Sequence, residues 1–376
     1  MSGLGEGDAA PVTFEALGSW PGILSRLVAG GSLTADEAEC VLGEVLSGAA
    51  TPAQVAAVAV ALRVKGESIE EMTGLVRAML DHAEPLVIDG DVVDVVGTGG
   101  DRLASINVST LAALIAAGAG ARVCKHGNRA ASSSVGTADV LEALGVAVDL
   151  GPAGVTRCVE EAGMGFCFAP RFHPALRHAG PVRRELGIPT IFNFLGPLAN
   201  PARARRQLVG VNDPAMASKM AGVLGANGSL RAMVVHADDG LDELSVTSPA
   251  TVLDLVGDGA EYEVRTWRLD PAALGCGPAT LADLRGGNAA FNAAVIRRVL
   301  EGERSPRRDI GVLNAAAALV IAGLAAGVEE GVEVAATAVD TGKALAVLEA
   351  LVRVSGEAKA EEAKAEEAKA EEAVGS

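Results

Sequence analysis

Through the N-terminal quarter of the chain, apolar positions recur at helical spacing. Val55, Val58, Val60 and Leu62 form one such series, and Ile69, Met72, Leu75 and Met79 form another. Start signals precede them. Thr34-Ala-Asp-Glu37, Thr51-Pro-Ala-Gln54 and Ser68-Ile-Glu-Glu71 each place a hydroxyl and an acid or amide at the separation a capping box needs. Pro52 takes the first helical position, where its missing N–H is no loss. Residues 14–84 are therefore predicted as a small all-helical domain, after a disordered N-terminus over 1–13.

The period changes at Val87. Val92-Val93-Asp94-Val95-Val96 predicts a short buried strand closed by Gly97-Thr98-Gly99-Gly100, with a helix following from Ser109 to Ala119. Further strands are predicted at Ala121–Cys124, Gly165–Phe168, Gln207–Val211 and Ala232–His236, with helices between them, one at Thr137–Leu144. Long helices fill 288–300 and 310–354. Alternating strands and helices predict a large α/β domain over 87–355, with a mostly parallel central sheet covered on both faces. The polar stretch His173–Glu185 predicts an excursion, so part of 173–200 is assigned to the helical domain. From 356 to 376 the chain repeats Ala-Lys-Ala-Glu-Glu. A five-residue period keeps no apolar stripe on a helix. This segment is expected to be a low-complexity tail, helical at times through pairs such as Glu361 and Lys364, with nothing to bury and no part in catalysis.

Composition narrows the function classes. Hydrophobic residues make up 49% of the 376, but aromatics only 3%, so the core is built from small side chains in closely packed helices. The net charge of −17 argues against a general binder of nucleic acid or anionic membrane. Five cysteines (Cys40, Cys124, Cys158, Cys167, Cys276) form no CxxC pair and read as reduced core residues of a cytosolic protein. The acidic N-terminus is no signal peptide, and Val312–Ala326 is too short to span a bilayer. A cytoplasmic location is expected.

Against this acidic background, anion-binding features are local. Gly97-Thr98-Gly99-Gly100-Asp101 follows a strand, and Asn107, Ser109 and Thr110 open the next helix. Glycines can present backbone N–H groups to an anion, and the helix N-terminus adds free amides and its dipole. No Gly-Lys-Ser/Thr follows and the run is not GxGxxG, so neither a Walker loop nor a dinucleotide fingerprint is present. Lys125-His126-Gly127-Asn128-Arg129 sits at the end of the next strand, on the same edge of a parallel sheet. Lys125 and Arg129 are expected to bring positive charge beside the glycine loop. His126 reads as a structural residue or an acid–base group. Asp238-Asp239-Gly240-Leu241-Asp242-Glu243 offers adjacent carboxylates for a hard cation such as Mg2+, or else a solvated acidic loop. Arg171, His173, Arg177, His178, Arg183 and Arg184 make a second basic cluster, and Phe192–Pro201 reads as a structured turn or hinge.

In order along the chain, GTGGD, NxST, KHGNRAxSS, ADVLEALG, FAPRFHPA, VRRELGIPTIFNxLGPLxNP and DGLDE resemble the motifs of anthranilate phosphoribosyltransferases, over roughly residues 14–354. The resemblance implies a nucleoside phosphorylase/phosphoribosyltransferase-like fold and a homodimer joined through the helical domain. It implies transfer of phosphoribose from phosphoribosyl pyrophosphate (PRPP) to anthranilate in tryptophan biosynthesis, with Mg2+. Carried over by motif, Gly97, Thr98, Gly100, Asp101, Ser105 and Asn107 would meet PRPP, together with Ser109, Thr110, Lys125, Ser133 and Thr137. Gly97, Asn128 and Arg183 would meet anthranilate, Arg183 through its carboxylate. Ser109, Asp242 and Glu243 would serve the metal. No general base is assigned. Arg102, Thr137 and Leu176 depart from common family patterns; Leu176 bears on the anthranilate entrance. The rival readings are a pyrimidine nucleoside phosphorylase-like enzyme, which needs no metal pair, and a non-enzymatic nucleic-acid-binding relative, which needs a basic face.

Overall fold

The three capping boxes form as the spacing predicts. In the computed structural model, which describes residues 12–100, 103–130 and 135–375, Thr34, Thr51 and Ser68 accept from the N–H three residues on. Glu37, Gln54 and Glu71 return the bond to each cap's own N–H. They open α2 (Ala35–Leu46), α3 (Pro52–Lys65) and α4 (Ile69–Asp81), after α1 (Ser19–Val28). The buried Glu71 carboxylate also accepts from Leu33 N–H at 3.0 Å and pairs with Lys65 at 2.8 Å. At Gly74 a Cβ would lie 1.8 Å from the Ala35 carbonyl oxygen, so α2 and α4 can approach this closely only without a side chain there. The chain divides into two units, one taking residues up to His82 with Ala175–Leu195, the other Ala83–Pro174 with everything from Gly196. The disorder expected for the N-terminus concerns residues that, up to 11, lie outside those described.

The second unit begins with β1 (Val93–Gly97), α5 (Val108–Gly118), β2 (Val123–Gly127), α6 (Thr137–Ala143), α7 (Pro152–Ala162), β3 (Met164–Phe168) and α8 (Ala169–Phe172). The chain then forms α9 (Gly180–Leu186) within the first unit, followed by α10 (Phe192–Leu198). It continues as β4 (Arg206–Gly210), α11 (Pro214–Ala226), β5 (Arg231–Ala237), β6 (Ala250–Gly257) and β7 (Tyr262–Leu269), and ends in α12 (Ala289–Leu300), α13 (Pro306–Ala322), α14 (Val328–Asp340) and α15 (Lys343–Gly375). The seven-stranded sheet runs β3-β2-β1-β4-β5-β6-β7. Pairing is parallel from β3 to β5 and antiparallel across β6 and β7. The antiparallel pair was not anticipated. In β7 only Leu269 is buried, and Glu263, Arg265 and Arg268 are exposed along the strand, the pattern of an edge that must not invite a further strand.

The core explains the small-residue composition. Ala315–Ala318 of α13 are fully buried. A Cβ at Gly311 would lie 2.5 Å from the Leu111 side chain of α5. Helices this close exclude aromatic rings.

The boundary placed at 356 falls inside α15, which runs without a break from Lys343 to Gly375. The first part of the repeat is anchored, contrary to expectation. Arg157 of α7 pairs with Glu357 at 2.7 Å and Glu361 at 3.1 Å. The Gly151 N–H donates to Glu362 at 2.9 Å, Lys359 donates to the Asp149 carbonyl at 2.8 Å, and Ala358 is buried. The repeat does supply something to bury: the Ala358 methyl lies against α7, 3.4 Å from where a Cβ at Gly154 would stand. From 363 to 369 every residue is exposed. Truncation after Ala363 should leave the melting temperature unchanged. Truncation after Ser355 should lower it by roughly 2–5 °C, the order expected for losing one buried methyl and its polar ties. Calorimetry of the two truncations checks both; equal melting points would show that the anchored turn contributes nothing.

Candidate active site

The first two crossovers move the chain from β1 outward to β3, and β4 then returns to the other side of β1. The sheet therefore has its topological switch point between β1 and β4, and the crevice beyond their carboxyl ends is where such sheets bind ligands. Both strands end there in glycine, Gly97 paired with Gly210. The need for glycine is steric. A Cβ at Gly97 would lie 2.3 Å from Asp242 Oδ2, and one at Gly210 would lie 1.6 Å from the Asp242 carbonyl oxygen. The Asp242–Glu243 segment thus lies directly on the strand ends. The Asp242 carboxylate accepts from Gly99 N–H at 2.6 Å. Gly99 and Gly100 follow each other with φ of 68° and 83°, a left-handed run that turns successive N–H groups toward one side. Thr98 braces the loop: its N–H donates to the Gly210 carbonyl at 2.9 Å and its Oγ1 accepts from Asn212 N–H at 3.5 Å. Asp101 lies outside the described residues.

Lys125 reaches this edge from inside the sheet. It is 1% exposed, and its ammonium donates to the Val95 carbonyl and to Ser109 Oγ, the latter at 3.1 Å. Burial pulls its pKa down, and Asp94, Glu243 and Asp242 oppose that. Asp94, the one charge in the β1 run, was not singled out in the sequence. Burial pushes its carboxyl up to about 6 against the pull of Lys125 and of its hydrogen bonds. Those bonds come from Asn200 Nδ2 at 2.8 Å and His126 N–H at 3.1 Å. Asn200 also donates to the Cys124 carbonyl at 2.8 Å, so the Asn-Pro of the expected turn fastens β1 to β2. His126 takes the structural role of its two readings. It is buried, its Nδ1 lies 3.1 Å from the Gly196 carbonyl, and its ring stands 5.1 Å from that of His173. Burial, then His173 and Lys125, push its pKa down to about 3, so the ring is neutral at ordinary pH.

The start of α5 supplies polar groups. Ser109 meets Lys125, and the Thr110 hydroxyl is buried with no hydrogen-bond partner among the described residues. Asn107 donates to the Val135 carbonyl at 3.4 Å and accepts from Asn292 Nδ2 at 2.9 Å. Ser105 bridges to Arg285. Thr137 opens α6 against Gly127. Asn128 is exposed after β2 and accepts from its neighbour's N–H at 2.7 Å. Arg129 does not add the expected positive charge. It binds Glu142 through both guanidinium ends, at 2.6 and 2.7 Å, and Asp139 at 3.0 Å, because α6 turns those acids toward it. Ser133 lies outside the described residues.

The four acids of the 238–243 loop divide by role. Asp238 forms an ion pair with Arg268. Asp239 ties the loop together, accepting from Ser245 Oγ at 2.7 Å and Leu241 N–H at 3.1 Å. Asp242 and Glu243 are buried beside the glycine loop. Among the described residues no three His, Cys, Asp or Glu side chains converge as a metal cage. Mg2+ needs only one or two carboxylates, with phosphate oxygens and water completing its shell. Two buried carboxylates and the nearby Ser109 hydroxyl therefore fit an ion that arrives with a phosphate ligand. In the other unit Arg183 is half-buried, its guanidinium 5.6 Å from the Phe192 ring centroid. It has no acidic partner among the described residues, and Arg184 beside it is exposed.

The family model described as glycosyl transferase family, a/b domain, matches residues 89–345, and that described as glycosyl transferase family, helical bundle domain, matches 21–83. An anthranilate phosphoribosyltransferase of Thermomicrobium roseum is 52% identical over 341 residues, 90% of this chain and 97% of that protein. The chain belongs to the anthranilate phosphoribosyltransferase family. Its fold agrees. The crystal structure of the Thermus thermophilus member is 42% identical with a TM-score of 0.83, covering 88% of this chain and 98% of that one. The Saccharomyces cerevisiae enzyme, solved in complex with PRPP and Mg, is 27% identical with a TM-score of 0.77, covering 91% of this chain and 96% of that one.

A histidine whose pKa is lowered by folding binds fewer protons folded than unfolded. The stability that neutral His126 carries is whole above its ordinary pKa of 6.5 and declines as pH falls toward about 3, by at most ~1.4 kcal/mol per pH unit. Melting curves of wild type and His126→Gln from about pH 7 to pH 4 should converge as pH falls. Parallel curves would mean that the imidazole is not held neutral.

Proposed function

We infer that this chain transfers the phosphoribosyl group of PRPP to the amino group of anthranilate, releasing pyrophosphate, a step of tryptophan biosynthesis. The observation that carries the reading is the meeting of Lys125 and Ser109 at the switch point, within the field of Asp242 and Glu243. A cation and a buried acid pair beside an amide-rich loop suit a pyrophosphate bound with Mg2+. Gly97, Thr98, Gly100, Asp101, Ser105, Asn107, Thr110, Ser133 and Thr137 complete the proposed PRPP site. Asn128, Gly97 and Arg183 are the proposed anthranilate contacts. In the reaction the anthranilate nitrogen bonds to the anomeric carbon, the bond from that carbon to pyrophosphate breaks, and the nitrogen gives up its proton to water. Mg2+, held by Ser109, Asp242 and Glu243, would spread the charge of the departing pyrophosphate. Lys125 and the loop amides stabilise the same charge from fixed positions.

The exposed apolar side chains of Val28 and Val64, both in the helical unit, support a homodimer through that unit, which sedimentation would detect. No helix among the described residues is long and apolar enough to cross a membrane, which agrees with the cytoplasmic location we propose.

The direct test follows loss of anthranilate fluorescence on adding PRPP, with and without Mg2+. Turnover should need all three components. Asp242→Asn and Glu243→Gln should each lower kcat/KM by roughly a hundredfold or more while the melting temperature stays close to wild type. Near-normal turnover in both would remove these acids from the metal site.

Arg183 and Arg184 separate the anthranilate assignment from general charge effects. Arg183→Ala loses a charge-assisted contact of about 1.5–3 kcal/mol and should raise the anthranilate KM roughly tenfold to a hundredfold, leaving the PRPP KM unchanged. Arg184→Ala should be silent. The reverse pattern in steady-state kinetics would reassign the carboxylate partner.

A further inference from the structure

The segment at 104–107 carries PRPP contacts in the reading above, yet it has no regular structure of its own to hold it. It is held by a distant part of the chain. The Ile106 N–H donates to the Leu284 carbonyl at 3.0 Å, and the Gly286 N–H donates to the Ala104 carbonyl at 2.8 Å. One side chain joins the two strips. Asn292, on the first turn of α12, is 2% exposed and uses both ends of its amide. Its Oδ1 accepts from Gly287 N–H at 2.8 Å, and its Nδ2 donates to Asn107 Oδ1 at 2.9 Å.

That pair of bonds orients Asn107. The Gly287 N–H can only donate, so the end of Asn292 facing it must be oxygen. Asn292 therefore turns its NH2 group toward Asn107 and requires an oxygen in return. The Asn107 NH2 is left on the other side, where it donates to the Val135 carbonyl at 3.4 Å. An amide nitrogen has two hydrogens, and the second has no protein partner among the described residues. It is a donor of fixed direction beside the N-terminus of α5, suited to an oxygen of an anionic ligand.

We propose that Asn292 is a positioning residue of the PRPP site, acting through Asn107. It holds the Asn107 amide in the one orientation that offers PRPP a donor and not an acceptor. The proposal rests on the reading of this site as the PRPP site. Asn292→Asp keeps the acceptor for Gly287 N–H but sets a second carboxylate oxygen against Asn107 Oδ1. Two acceptors cannot share that contact, so the Asn107 amide turns over and its oxygen replaces the donor.

The experiment is a double-mutant cycle with Asn292→Asp, Asn107→Ala and the pair combined, with KM and kcat measured for each substrate. Asn292→Asp should raise the PRPP KM roughly tenfold, leave the anthranilate KM within about twofold, and melt as a folded protein. In the Asn107→Ala background the same substitution should add nothing, because the group it acts through is gone. A penalty for Asn292→Asp that persists in full without Asn107 would overturn the proposal. So would an unchanged PRPP KM in Asn292→Asp when Asn107→Ala raises it. If Asn107→Ala itself leaves the PRPP KM untouched, the fault lies in the assignment of Asn107 to the PRPP site. Asn292→Ala, which removes both bonds without adding a charge, serves the same cycle should the aspartate variant fail to fold.

Discussion

A lysine charge almost sealed from water organises the candidate site. Moving an ammonium out of water is costly unless charge and hydrogen bonds replace its hydration. Here the replacement comes from several elements. The Val95 carbonyl lies on the neighbouring strand, Ser109 stands on the first turn of α5, and the fields of Asp94, Asp242 and Glu243 act from around it. Each of these groups is then committed in turn. Asp94 needs Asn200 and the His126 N–H, and Asn200 fastens the strand that carries Lys125. A cation held in this way is ready for a polyanion without first having to shed water.

Close approach is the second constraint. With Asp242 resting on Gly97 and Gly210, the distance between the acid pair and the amide loop is set by backbone contact. Flexible side chains have no freedom to relax it. The division of labour in the acidic loop follows. Asp238 pairs with Arg268 and Asp239 ties the loop together, while the two acids at the strand ends are buried beside the crevice.

Much of this was legible in the residue pattern, and the limits have physical reasons. Capping boxes are local, so Thr34, Thr51 and Ser68 mark helix starts reliably. The parallel strands are buried runs, and their order along the chain already places Gly97 and Lys125 on one edge. Asp94 was readable too, since a carboxylate in the middle of an apolar run demands a buried partner, but its partner Asn200 lies 106 positions away. Arg129 misled because its acids come from a helix whose facing is a tertiary fact. Asn292 left no trace in any motif: its meaning depends on a contact 185 positions distant. Of the β6–β7 pair, β7 escaped because an edge strand defended by charge resembles a surface loop.

The last helix gives the molecule a handle. Beyond Ala363, α15 continues to Gly375, a rod of about 18 Å at 1.5 Å per residue. Its base is tied to α7, so a fluorophore or a solid support attached beyond Ala363 would inherit the orientation of the α/β unit. Kinetics on an immobilised enzyme, or rotational correlation of the labelled chain, become accessible without touching any side chain that faces the crevice.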